Sequence, residues 1–215
     1  FKVAQYGLID FNTETDEITV KDKLFKYISA NKRKSDYDII TIHSTILGAA
    51  NASLNLLNNS FDLKIRGVKT ILLSDTQQVF VFPSKQEIIL KKGRDFKFSG
   101  VVAAGKFEFH GKEFTYGYEA NKIDLKNVDS LRIYVNARDA DINGNFGFKR
   151  VQTVIENING ELLVDGSTNH AGFKKAPSFP IFKSFKESYA FYDKRSIQRG
   201  AYNKDKFYFK LDPFV

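Results

Sequence analysis

The stretch FKFSGVVAAGKFEFHGKEFTYGY, residues 96–118, constrains what this chain can fold into more than any other part of it. Phe96, Phe98, Phe107, Phe109, Phe114 and Tyr116 alternate with Lys, Glu, Ser or Thr. A side-chain period of two marks strands with one buried face. Gly93, Gly100, Gly105, Gly111 and Gly117 punctuate the stretch, so each short strand ends where the chain can turn or bulge without a Cβ penalty. The same pattern begins at Phe61-x-Leu63-x-Ile65 and continues through Val68, Ile71 and Leu73, Val79-x-Val81, Ile88-x-Leu90, Ile123-x-Leu125 and Leu131-x-Ile133-x-Val135. It resumes at Gln152–Ile155 and Glu161–Val164. Gaps between strands are short and rich in turn formers, and no long helical pattern intervenes, which argues against βαβ units.

Composition agrees with the pattern. There are 21 Phe and 10 Tyr but no Trp, and aromatic and β-branched residues favour pleated, half-buried surfaces. The strands read as very short, and the two Asn-Gly pairs, Asn143-Gly144 and Asn159-Gly160, do not join long strand pairs. The expected fold is therefore mainly β, a β-solenoid resembling a parallel β-helix, with a β-sandwich as the alternative. A minor helical part is expected near the N-terminus, where Leu24, Tyr27 and Ile28 permit a helix over 21–31, ended by Lys32-Arg33-Lys34. Residues 3–20 read as two strands around the polar turn 12–17, and 45–58 as a helical turn passing into a strand.

Three regions follow: N-terminal strands and short helices over 1–60, a solenoid-like core over 61–172, and aromatic and basic strands over 173–215. In the last, residues 182–210 carry eight basic and three acidic side chains interleaved with rings. Alternation such as Phe207-Tyr-Phe-Lys210 predicts rings against a core and lysines in water. Stacking on sugar rings or single-stranded nucleic acid is the other reading. The chain starts at Phe1 rather than Met and stops mid-pattern at Val215, as a section of a longer polypeptide would.

The absence of Cys excludes disulfides, thiolate metal sites and cysteine nucleophiles. No apolar run approaches the roughly 18 residues of a membrane-spanning helix. The net charge of +8 would attract acidic partners such as anionic polysaccharide, although mixed charge also keeps a β surface soluble. His43, His110 and His170 stand far apart, no nucleophile, P-loop or dinucleotide motif occurs, and no catalytic residues are expected.

The sharpest local signal is Asp139-Ala-Asp141-Ile-Asn143-Gly144-Asn145. Oxygen side chains at alternate positions before a glycine turn match the first half of a Ca²⁺ loop, with Asp139, Asp141, Asn143 and Asn145 as ligands. The position of the closing bidentate Glu is Arg150, so an Asx-rich turn explains the same residues. Gly144-Asn-Phe-Gly-Phe-Lys-Arg-Val151 partly matches the aromatic strand of an RNA-binding RRM domain. It lacks the leading basic residue and the domain's helices, so Phe146 and Phe148 read instead as buried strand residues and nucleic acid is not an expected partner.

Four longer stretches, DYDIITIHSTILGAANASLNLLN, LSDTQQVFVFP, GRDFKFSGVVAAGKFEFHGKEFTY and SYAFYDKRSIQRGAYNKDKFYFKLDPF, resemble segments of very large β-rich cell-envelope proteins of Bacteroidota that have no established activity. The resemblance covers most of the chain and transfers no functional residues. It implies a section of a large exported protein at the periplasm or cell surface. The expectation is a non-enzymatic structural or binding module, with acidic polysaccharide or other envelope proteins as partners. One rival is a polysaccharide-active β-helix enzyme holding Ca²⁺ on Asp139 and Asp141, with Lys149 or Arg150 near the scissile bond. The other is a lipid-conducting β-groove, which needs an apolar trough open to solvent.

Overall fold

The alternation of residues 96–118 becomes two long strands of an antiparallel meander. The computed structural model describes residues 2–5, 8–32, 40–56, 62–138, 147–170, 175–195 and 197–215. A helical turn, α1 (Lys2–Gln5), precedes β1 (Ile9–Asn12), β2 (Glu17–Val20) and α2 (Asp22–Asn31). Next come β3 (Ala52–Leu54), β4 (Leu63–Arg66) and β5 (Ile71–Ser74), then four long strands, β6 (Val79–Leu90), β7 (Phe96–Ala104), β8 (Phe107–Gly117) and β9 (Lys122–Asn136). Shorter strands follow: β10 (Phe148–Arg150), β11 (Ile155–Glu156), β12 (Ile158–Leu163), β13 (Ile181–Ser184), β14 (Ser188–Phe191) and β15 (Tyr208–Leu211). The protein is mainly β with a minor helical part.

The helix over 21–31 forms as its spacing predicts, with Asp22 in the first turn, where a carboxylate complements the helix dipole. Val3 lies in α1 and not in the strand expected from Val3 to Phe11. The turn at 12–17 is present, because Asn12 Oδ1 accepts the Glu14 amide at 2.9 Å and closes the β1–β2 hairpin. Residues 47–49 bend without forming the expected helical turn, and β3 follows with all three of its residues exposed, Leu54 included.

The solenoid expectation requires correction. Every described strand pair is antiparallel, and thirteen strands form one open sheet in the order β15-β14-β11-β9-β8-β7-β6-β4-β3 along its main path. The sheet takes in strands from both 61–172 and 173–215, since β12 pairs with β13 and β11 with β14. Side-chain alternation is the same in parallel and antiparallel ladders, so it carries no information about strand direction.

Strand length was hidden by a line of bulges that crosses the sheet. Residues 84–87 of β6 stand opposite Ser99 alone, because Pro83 faces Gly100 and Ile88 faces Phe98. On the next pair, Ser99 of β7 faces Lys112 and Glu113, between the Phe98–Phe114 and Gly100–Gly111 partners. On β9, Asp129 is extra between the partners of His110 and Gly111. The β9–β12 register shifts at the same level, between Ile158 and Gly160. Each bulge bends its strand and sharpens the local twist. Segments that read as separate short strands, Val79–Val81 and Ile88–Leu90 for example, are the two arms of one bent strand.

The bends put the core inside the curl of the sheet. Phe96, Phe109, Phe114 and Tyr116 are essentially inaccessible, and Phe98 is 4% exposed. Cross-strand partners Phe96 and Tyr116 have ring centroids 5.0 Å apart, and Phe98 and Phe114 stand edge-on at 5.6 Å. Burying each such ring stabilises the fold by about 1.5–3 kcal/mol. The curl brings Phe182 of β13 to 4.8 Å from Phe109 of β8, across intervening strands. The chain after β12 links the β5–β6 turn to the β8–β9 turn. The Asp165 carboxylate accepts Gln77 Nε2 at 3.1 Å, Asn169 Nδ2 at 3.0 Å and the Gly166 amide at 2.6 Å. The Tyr118 ring is held between the Arg94 guanidinium and the His170 ring, each at 4.6 Å.

Candidate functional site

The bulge line leaves a groove across the sheet, with a volume of about 710 Å³. Four consecutive strands of the meander each send one lysine to it: Lys85 from β6, Lys97 from β7, Lys112 from β8 and Lys126 from β9. All four are exposed. Ser84, Ser99 and Thr115 add hydroxyls, and Ile88, Ile89 and Phe98 complete the lining. The bulges create the site directly. Two adjacent outward positions, Lys112 and Glu113, occur where regular alternation would allow one. Lys85, Gln86 and Glu113 adopt left-handed φ values of 54°, 52° and 58°. Such backbone is costly for residues with long side chains and tends to mark functional positions.

The groove has unbalanced charge. Among the described residues, no carboxylate lies within ion-pair distance of Lys85, Lys97, Lys112 or Lys126. Neither of the two carboxylates in the lining pairs with these lysines. Glu87 pairs with Lys64 at 2.7 Å, and Glu113 accepts Asn127 Nδ2 at 2.7 Å while its amide donates to Ser99 Oγ. The neighbouring cluster is organised differently. Lys122 sits 2.9 Å from Glu161 and 3.4 Å from Asp124, and Lys183 lies 3.7 Å from Glu161. The Lys122 hydrogen bond holds the Glu161 carboxyl below its ordinary range, and the same bond raises the Lys122 ammonium. Lysines there are neutralised by their own chain, whereas those in the groove are available to an external anion.

The Asp139, Asp141, Asn143 and Asn145 loop lies outside the described residues, as does Phe146. No described group of His, Asp and Glu is arranged to hold a metal ion. Lys149 and Arg150 lie on β10, exposed, with Arg150 opposite Tyr134 of β9. Phe148, expected to be buried, is 66% exposed, with Lys106 Nζ 5.7 Å from its ring centroid. The histidines remain apart: His110 lies 3.2 Å from Glu108, His170 is buried against the Tyr118 carbonyl and His43 is exposed. In the C-terminal weave Phe182 packs inward, but Phe185, Phe207, Tyr208 and Phe209 are each about half exposed. That corrects the expectation that these rings face a core. Its lysines are partly neutralised, Lys204 by Glu156 and Lys210 by Glu187.

The lysine groove was not singled out from the sequence, since its members are spread from 85 to 126. The signal for it is a phase slip. Buried positions step from Gly111 to Phe114 and from Leu125 to Val128, intervals of three where alternation demands two. Comparison with protein families, curated proteins and solved structures finds no match to the chain, so the geometry alone describes the site.

Proposed function

We propose that this chain is a non-enzymatic binding module of a large exported cell-envelope protein, and that the bulge-line groove holds an anionic polymer. The observation that carries the binding role is the row of four lysines without carboxylate partners among the described residues, set where the bulges open the sheet. The envelope location rests on the resemblance of the four stretches named above. The interior rings support a packed body over a lipid conduit, since Phe96, Phe98, Phe109, Phe114 and Tyr116 fill the core where an open trough would display them.

The test is retention on immobilised polyanions, with neutral dextran as the control. Wild type is expected to bind and to elute with rising salt, because exposed charge pairs are screened. Replacing Lys85, Lys97, Lys112 and Lys126 together by Gln should abolish retention while the thermal melt stays unchanged. Equal retention of the quadruple variant would remove the groove from the account. Release of shortened sugar chains during incubation with an acidic polysaccharide would favour the polysaccharide-active enzyme instead.

A further inference from the structure

The order of the lysines describes the ligand's shape as well as its sign. They belong to four adjacent strands, with Lys85, Lys112 and Lys126 near the level of Ser99 and Lys97 two residues along β7, opposite Ile89 and Thr115, so the set spans the sheet across the strands. Neighbouring strands are about 4.8 Å apart, so the backbones carrying Lys85 and Lys126 are separated by roughly 14 Å. A compact anion would span one or two of these lysines. A chain lying along a strand would meet only one. Only an extended ligand crossing the strands engages all four.

Taking the groove as the binding surface, we propose that its ligand is a linear carboxylated polysaccharide lying across β6 to β9, with successive carboxylates met by Lys85, Lys97, Lys112 and Lys126. Two observations favour this class over a nucleic acid. The ring in the lining, Phe98, is 4% exposed and offers no face for a base, whereas single-strand binders stack bases on open aromatic platforms. Ser84 and Thr115 add hydroxyls to the same lining, suited to the hydroxyls of a sugar.

The experiment measures affinity for end-labelled oligogalacturonates from monomer to octamer at fixed ionic strength, with polyphosphate and oligodeoxynucleotides of matched charge as competitors. Affinity should climb with length to roughly the tetramer, one carboxylate per strand crossed, and then rise only by the number of registers available. Each single Lys→Gln change should weaken tetramer binding about two- to five-fold, as exposed ion pairs do. Equal affinity for monomer and tetramer, both lost in the quadruple variant, would overturn the extended ligand and leave the groove as a binding site. Preferential binding of polyphosphate or oligonucleotide would overturn the carboxylated class. Failure of every anion to bind would overturn the groove reading itself.

Discussion

At the residue scale, two kinds of position on the bulge line have opposite tolerances. Gly111 is buried against the neighbouring strand, and a Cβ there would lie 2.2 Å from the Asn127 carbonyl oxygen and 2.9 Å from Val128 Cα. Both are backbone atoms of β9, so neither can swing aside. Gly111→Ala is therefore expected to destabilise the fold by about 3 kcal/mol, the upper end of overpacking costs. Gln86 presents the reverse case: it is exposed, with φ at 52°. Left-handed backbone costs an L-residue about 1–2 kcal/mol, and the extra chain entropy of glycine offsets about 0.5–1 kcal/mol of the relief. Gln86→Gly should raise stability by roughly 0.5–1 kcal/mol. Urea denaturation of both variants checks the pair. A Gln86→Gly protein less stable than wild type would mean that the bulge is not held in this conformation.

At the element scale, β9, β12 and β13 are tied across their outer surface by Lys122, Asp124, Glu161 and Lys183, and this tie gives stability a pH dependence of known sign. The Glu161 pKa is lowered on folding, chiefly by the hydrogen bond from Lys122. Its contribution is present above the unfolded value near 4.5 and is lost as pH falls through the lower folded value. The Lys122 pKa is raised, chiefly by the same bond. Its contribution is complete below 10.5 and is lost as pH rises through the higher folded value. Glu161→Gln should thus lower the urea midpoint across the neutral range, with the difference from wild type closing in strong acid and again in strong alkali. A difference independent of pH would show that the substitution acts through packing instead. Elements were also the scale at which the sequence was hardest to interpret. Alternation located nearly every strand, and the spacing of Leu24, Tyr27 and Ile28 located α2. Pairing direction was hidden because the hairpins lack the expected turn residues. Left-handed positions between the long strands fall to Arg94 and Asn121 as well as to Gly93 and Gly105. Bulges likewise appeared as strand ends, since a glycine such as Gly100 serves both purposes.

At the scale of the whole molecule, fold and groove share one cause. A single line of register shifts lets a wide antiparallel sheet curl around its aromatic core, and the same line opens the groove that lysines of four adjacent strands line. The net charge of +8 was plain in the sequence, but its distribution depends on which lysines find carboxylates, and those contacts are non-local. The dense basic weave of the C-terminal region attracted attention in the sequence, yet Lys183, Lys204 and Lys210 are paired there. The dispersed lysines of β6 to β9, with no such local concentration in the sequence, also carry unbalanced charge, and the fold gathers them at one groove. The most direct test of this account is NMR of lysine side-chain signals during titration with an acidic polysaccharide. The account predicts that Lys85, Lys97, Lys112 and Lys126 respond first and together, with Lys122 and Lys183 unmoved. Shifts spread evenly over all surface lysines, or centred on the C-terminal region, would contradict it.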